Sequence, residues 1–180
     1  MQLSALSLGQ EKFRMKTRVG TAFGLGITAA AVVTLVMIPL RAAELTRLDL
    51  EMISGAMLTR TAGPLTWAIG CGIHLLAGGL FAMIYGRIFE AWGGAGWRRG
   101  MAVAVVHSLV AGTLLAMVPA IYPGVAEHPL LPAPGFLAIQ YGPLAATTFL
   151  ALHLLFGLIV GGSYPVRAPA RRAPMSHGPV

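Results

Sequence analysis

Four long apolar stretches, residues 19–40, 64–86, 100–119 and 143–164, alternate along the chain with shorter, more polar segments. Each reaches the roughly 20 residues that cross a hydrocarbon core of about 30 Å as a helix. No Asp, Glu, Lys or Arg falls between the ends of any stretch. The pattern predicts four transmembrane helices. Between the first two, Leu45, Leu48, Met52, Ile53, Ala56 and Met57 recur at helical spacing, with Glu44, Arg47 and Glu51 on another face. That spacing predicts a short amphipathic helix lying on the outer membrane surface. The loop at 120–141 carries Pro123, Pro129, Pro132 and Pro134 among Tyr122, Phe136 and Tyr141. It is too apolar for a free linker and suits docking on the bundle or on a partner.

The apolar stretches repeat. Residues 63–85 align with 142–164 at an offset of 79, giving eight identities in 23 positions without a gap. The shared residues are Gly-Pro-Leu at the start, His74-Leu75-Leu76 with His153-Leu154-Leu155, Gly78 with Gly157, and Tyr85 with Tyr164. The first and third stretches match at an offset of 80 through Gly20/Gly100, Ala22/Ala102, Ala31/Ala111, Leu35/Leu115, Met37/Met117 and Pro39/Pro119. Such spacing marks a tandemly duplicated helical hairpin, repeat one at 20–85 and repeat two at 100–164. A two-span unit enters twice from the same side, so the pseudo-twofold axis runs along the membrane normal. The expected fold is all-α, a four-helix membrane bundle occupying residues 19–164. Pro39 and Pro119 are expected to stop the outgoing helices, and Pro64 and Pro143 to open the returning ones.

Composition agrees with this reading. Of 180 residues, 56% are hydrophobic and only 11% are charged, with a mean hydropathy of +0.75. A soluble domain carries about 25% charged residues, so soluble and disordered classes are excluded. The single cysteine excludes an internal disulfide and an all-cysteine metal centre. The net charge of +7 would suggest nucleic acid in a soluble protein, but here its distribution matters more. Ten of the thirteen bases lie in residues 1–18, in the middle loop and after the fourth span. The positive-inside rule then places both termini and the middle loop in the cytoplasm, in a cytoplasmic (inner) membrane. The excess charge faces anionic lipid, not nucleic acid. The first stretch exceeds a signal-peptide core and lacks a small-x-small site, which favours an uncleaved helix. Residues 165–180, rich in Pro, Arg and Ala, read as a disordered cytoplasmic tail.

Candidate chemistry centres on three histidines within the spans, His74, His107 and His153. Counted from the flanking prolines, all three lie about 15–18 Å below the outer boundary. Intramembrane ionisable residues are functional candidates by default. His74 and His153 are repeat mates on two helices of one bundle, a disposition that could hold haem b axially or a pigment through one ring. Zinc or copper on the three histidines, with Cys71 one turn from His74, is another option. Against these stands interhelical packing, with Thr66, Thr147, Thr148 and Ser108 as hydrogen-bond partners. No carboxylate lies within the spans, so a carboxylate-bridged metal pair and a carboxylate proton relay are excluded. Gly20, Gly24, Gly78, Gly157 and Gly161 are expected at close helix contacts, with room for a flat cofactor as the alternative. Tyr85 and Tyr164 read as interfacial anchors.

With the repeated His-Leu-Leu-x-Gly…Tyr pattern in view, the chain resembles a family of small four-helix bacterial and archaeal integral membrane proteins of unknown function. The resemblance covers about residues 20–164 and implies a fold but no activity. No nucleophile–base constellation, phosphate loop or HExxH motif points to an enzyme. The leading expectation is a non-catalytic multi-pass protein, an accessory or structural subunit of a larger bioenergetic or transport complex, associating with other membrane subunits or with itself. The alternatives are an electron-transfer protein holding haem or pigment on His74 and His153, and a small channel or transporter.

Overall fold

The structure, a computed structural model, describes residues 2–121 and 132–165, with side chains from residue 18 onward. Residues 166–180 of the expected disordered tail and residues 122–131 of the loop at 120–141 lie outside the described residues. Helices α1 (Gln2–Ala42), α2 (Leu50–Thr59), α3 (Pro64–Ala91), α4 (Trp97–Ala116) and the single turn α5 (Val118–Ile121) lead to a 3-10 segment, Phe136–Tyr141, and to α6 (Pro143–Ser163). Four of these are long and apolar enough to cross a membrane: Arg18–Ala42 within α1, then α3, α4 and α6. The chain is therefore an all-α, multi-pass membrane bundle. Two helical hairpins, α1 with α3 and α4 with α6, make its closest helix pairs in matching fashion.

Local sequence explains the helix ends. Gly63 and Gly142 open the returning helices with φ of +156° and +103°, and Pro64 and Pro143 follow in the first turn. Proline fits there because its missing N–H would have had no intrahelical partner. Pro39 does not stop its helix. It sits inside α1, which runs three residues further before Glu44 turns the chain at a φ of +57°. Pro119 lies past a break at Met117 that ends α4.

Glycines bring the hairpin helices into backbone contact. A Cβ added to Gly78 would meet the Ala30 side chain at 2.6 Å and the Gly26 carbonyl at 2.9 Å; one added to Gly157 would meet Ala104 at 2.6 Å and the Gly100 carbonyl. Gly26 faces Gly78 and Ala82, while Gly100 faces Gly157 and Gly161. These contacts keep the offset of 79 between α3 and α6 but pair α1 with α4 at an offset of 74, not 80. Gly26/Gly100, Ala30/Ala104, Val32/Val106, Leu35/Leu109, Val36/Val110 and Leu40/Leu114 are identical in that register. The buried hydroxyls of Thr34 and Ser108 also coincide. The offset of 80 also gives six identities, because low-complexity apolar sequence matches in several registers. Gly20 and Gly24 consequently do not sit where Gly100 does: nothing lies within 4 Å of where their Cβ atoms would be.

The repeats differ in what covers them. In repeat one, α2 lies against α3, with Gly55 set on the backbone of Thr66 and Gly70, and Gly70 on the backbone of Glu51. In repeat two, Phe149 stands at the position equivalent to Gly70 and is itself buried. A ring there occupies the place that glycine leaves open for a helix. Its loop instead packs the 3-10 segment onto α4 and α6, with Leu137 over Gly112.

Candidate functional site

Helix α2 starts at Asp49, whose carboxylate accepts the Met52 N–H at 2.9 Å, and ends at Arg60 in the left-handed conformation. Its residues Ile53, Gly55 and Ala56 face inward as the apolar spacing requires. So does Glu51, which is only 1% exposed. The expectation of Glu51 on the solvated face of a surface helix is thus corrected. The glycine contact with α3 draws the first turn of α2 into the bundle, and the carboxylate goes with it. The argument against an intramembrane carboxylate falls as well, because a loop helix supplies what the spans lack.

Three atoms meet at this point. Thr34 donates its hydroxyl to Glu51 Oε1 at 2.7 Å. His74 Nδ1 lies 3.3 Å from the same carboxylate oxygen and 3.1 Å from Thr34 Oγ1. Since the threonine proton goes to the carboxylate, its oxygen accepts, and the shared hydrogen must sit on His74 Nδ1. The second carboxylate oxygen accepts from Arg41 at 3.4 Å, and Arg41 also pairs with Asp49. Burial pushes the Glu51 carboxyl up, but the hydrogen bonds from His74 and Thr34 outweigh it and hold it down at about 2. Asp49 is moved the other way: burial raises it against the Met52 N–H and Arg41.

His153, the repeat mate of His74, meets no carboxylate among the described residues. Its Nδ1 donates to the Phe149 carbonyl at 2.8 Å. In both rings Nδ1 is the engaged nitrogen. His107 stacks on Phe81 at 3.9 Å between centroids, approaches the Tyr85 hydroxyl at 3.3 Å through Nδ1, and meets the His153 ring edge-on at 4.8 Å. All three histidines and Glu51 line one cavity of about 130 Å³ between the four helices. That volume suits a small water cluster or an ion. It falls below the roughly 300 Å³ at which organic-cofactor pockets begin. Among the described residues no three His, Cys, Asp or Glu side chains converge as a metal-binding group. The zinc or copper set of His74, His107, His153 and Cys71 is not assembled.

Tyr85 is not an interfacial anchor. It is buried, and its ring meets those of Phe89 and Phe156. Tyr164 packs on Gly86 and donates to Glu90 at 2.9 Å. Of the proposed hydroxyl partners, Thr66 bonds to Thr59 and Thr61 at the α2–α3 corner, while Thr147 and Ser108 bond to their own helix backbones. The hydroxyls that reach histidines are those of Thr34 at His74 and Tyr85 at His107. Compared with family models, with curated proteins and with solved structures, the chain matches none.

Proposed function

We propose that the chain is a non-catalytic accessory subunit of a larger bioenergetic or transport complex in the cytoplasmic membrane, with both termini on the cytoplasmic side. The unequal packing of the two hairpins supports this. A twofold bundle closed on itself would pack both flanks between its hairpins alike, yet α1 lies along α6 while α3 and α4 touch at few points. The α3–α4 flank is left for a neighbour. On α4 the exposed Val110 and Leu114 share the helix face of His107, at spacings of three and seven residues. A photo-crosslinking side chain at Leu114 should capture a distinct membrane protein in cells, and one at the exposed Leu35 on α1 should not. Adducts with lipid alone from both positions would refute the proposal, and a dimer adduct would point to self-association.

A second reading, an electron-transfer protein with haem b or a pigment on His74 and His153, draws support from their shared Nδ1 engagement. Ligating histidines commonly fix their second nitrogen on a carboxylate or a backbone carbonyl, as these two do. The hairpins would have to part to admit the macrocycle. Protein purified gently after expression with abundant haem would show a Soret band lost in His74→Ala and His153→Ala. A colourless preparation excludes this reading.

A further inference from the structure

At the bundle end where the first span starts and α6 finishes, a groove of about 390 Å³ opens between α1 and α3. Its mouth is set by Arg18, at the start of the first span, and Arg87, one turn before α3 ends. Its walls are apolar: Ala22, Leu80, Met83 and Ile84, with Leu80 and Ile84 more than half exposed. Glu90 lies 3.6 Å from Arg18 and accepts the Tyr164 hydroxyl, which fixes one guanidinium in place. Arg87 makes no ion pair with a described residue. Among the described residues, two guanidiniums against one carboxylate leave the mouth net positive, at the start of the first span and beside an apolar channel.

We propose that this groove binds an anionic phospholipid, its phosphate between Arg18 and Arg87 and one acyl chain along Ala22, Leu80 and Ile84. Guanidinium recognises phosphate as a planar donor fork, and each arginine at such a surface strengthens anionic-lipid binding by about fivefold. The occupant is an amphiphile because the cationic mouth and apolar wall form one continuous surface.

The test uses the full chain purified in mild detergent, with native mass spectrometry and thermal unfolding in the presence of added phosphatidylglycerol, phosphatidylcholine or inorganic phosphate. Phosphatidylglycerol should be retained and should raise the unfolding temperature above phosphatidylcholine. Arg87→Gln, at an exposed position free of fold-critical contacts, should weaken retention about fivefold, and Ile84→Ser should weaken it with both arginines intact. Arg98→Gln, an exposed arginine stacked on Trp97 outside the groove, should leave it unchanged. Equal retention of the two lipids, equal loss in Arg98→Gln, or stabilisation by inorganic phosphate alone would overturn the proposal.

Discussion

A carboxylate withdrawn from water costs several kcal/mol unless charges and donors replace its hydration. Glu51 is given Thr34, His74 and Arg41, so its burial is compensated on both oxygens. Removing it strands three groups at once. Glu51→Ala should destabilise the bundle by about 3 kcal/mol, measured by unfolding in mixed micelles, whereas Glu51→Gln keeps an acceptor for Thr34 and should cost about 1 kcal/mol. An Ala variant no weaker than the Gln variant would show that the carboxylate is idle. The pH dependence has a fixed sign. The folded carboxyl, held at about 2, binds its proton more weakly than the unfolded one at 4.5, so protonation favours unfolding. The Glu51 contribution should be complete above pH 4.5 and vanish as pH falls toward 2. Glu51→Gln should remove that part of the acid sensitivity. The histidines were legible in the sequence because ionisable residues stand out in apolar runs. Glu51 was not, since a carboxylate in a loop reads as solvated until the helix bearing it is docked.

Docking of α2 depends on two positions that lack side chains. Gly55 and Gly70 let the backbones of α2 and α3 meet, and a Cβ at Gly70 would run into the Glu51 carbonyl carbon at 2.6 Å and the Gly55 nitrogen at 2.9 Å. Backbone cannot give way as a flexible side chain can. Gly70→Ala should lift α2 from the bundle at a cost of about 1–3 kcal/mol. Gly70→Phe would recreate the residue that repeat two carries at Phe149. A cysteine replacing the buried Ile53, in a Cys71→Ala background, reports the movement: a maleimide should label it slowly in the parent and quickly in Gly70→Ala. Unchanged labelling would mean that α2 is held by its ends alone. The amphipathic spacing revealed this helix, including its inward Ile53 and Ala56. It did not reveal the depth, because glycine contributes nothing to an apolar pattern and only the partner helix shows what its absence of bulk permits.

Taken across the whole molecule, the duplicated hairpin was readable from Gly-Pro-Leu and His-Leu-Leu because those residues recur rarely by chance. The register of α1 on α4 was not, because both helices are built from Gly, Ala, Val and Leu that match at several offsets. Six residues separate the two alignments, about 9 Å along the axis and about 240° around it, so they place different faces of α1, about 120° apart, against α3. The two registers disagree on which glycine is the counterpart of Gly100. If α1 were paired as the offset of 80 demands, Gly20→Val would damage the bundle as much as Gly100→Val. The observed contacts give that role to Gly26, which faces Gly78 and Ala82 as Gly100 faces Gly157 and Gly161, while Gly20 has open space around its Cβ position. Gly26→Val and Gly100→Val should therefore each lose about 1–3 kcal/mol or fail to fold, and Gly20→Val should stay within about 0.5 kcal/mol of the parent. Thermal unfolding of the three variants in one detergent decides the matter. Equal damage at Gly20 and Gly100, with Gly26→Val tolerated, would return the repeat to the offset of 80 and turn the buried face of α1 to the lipid.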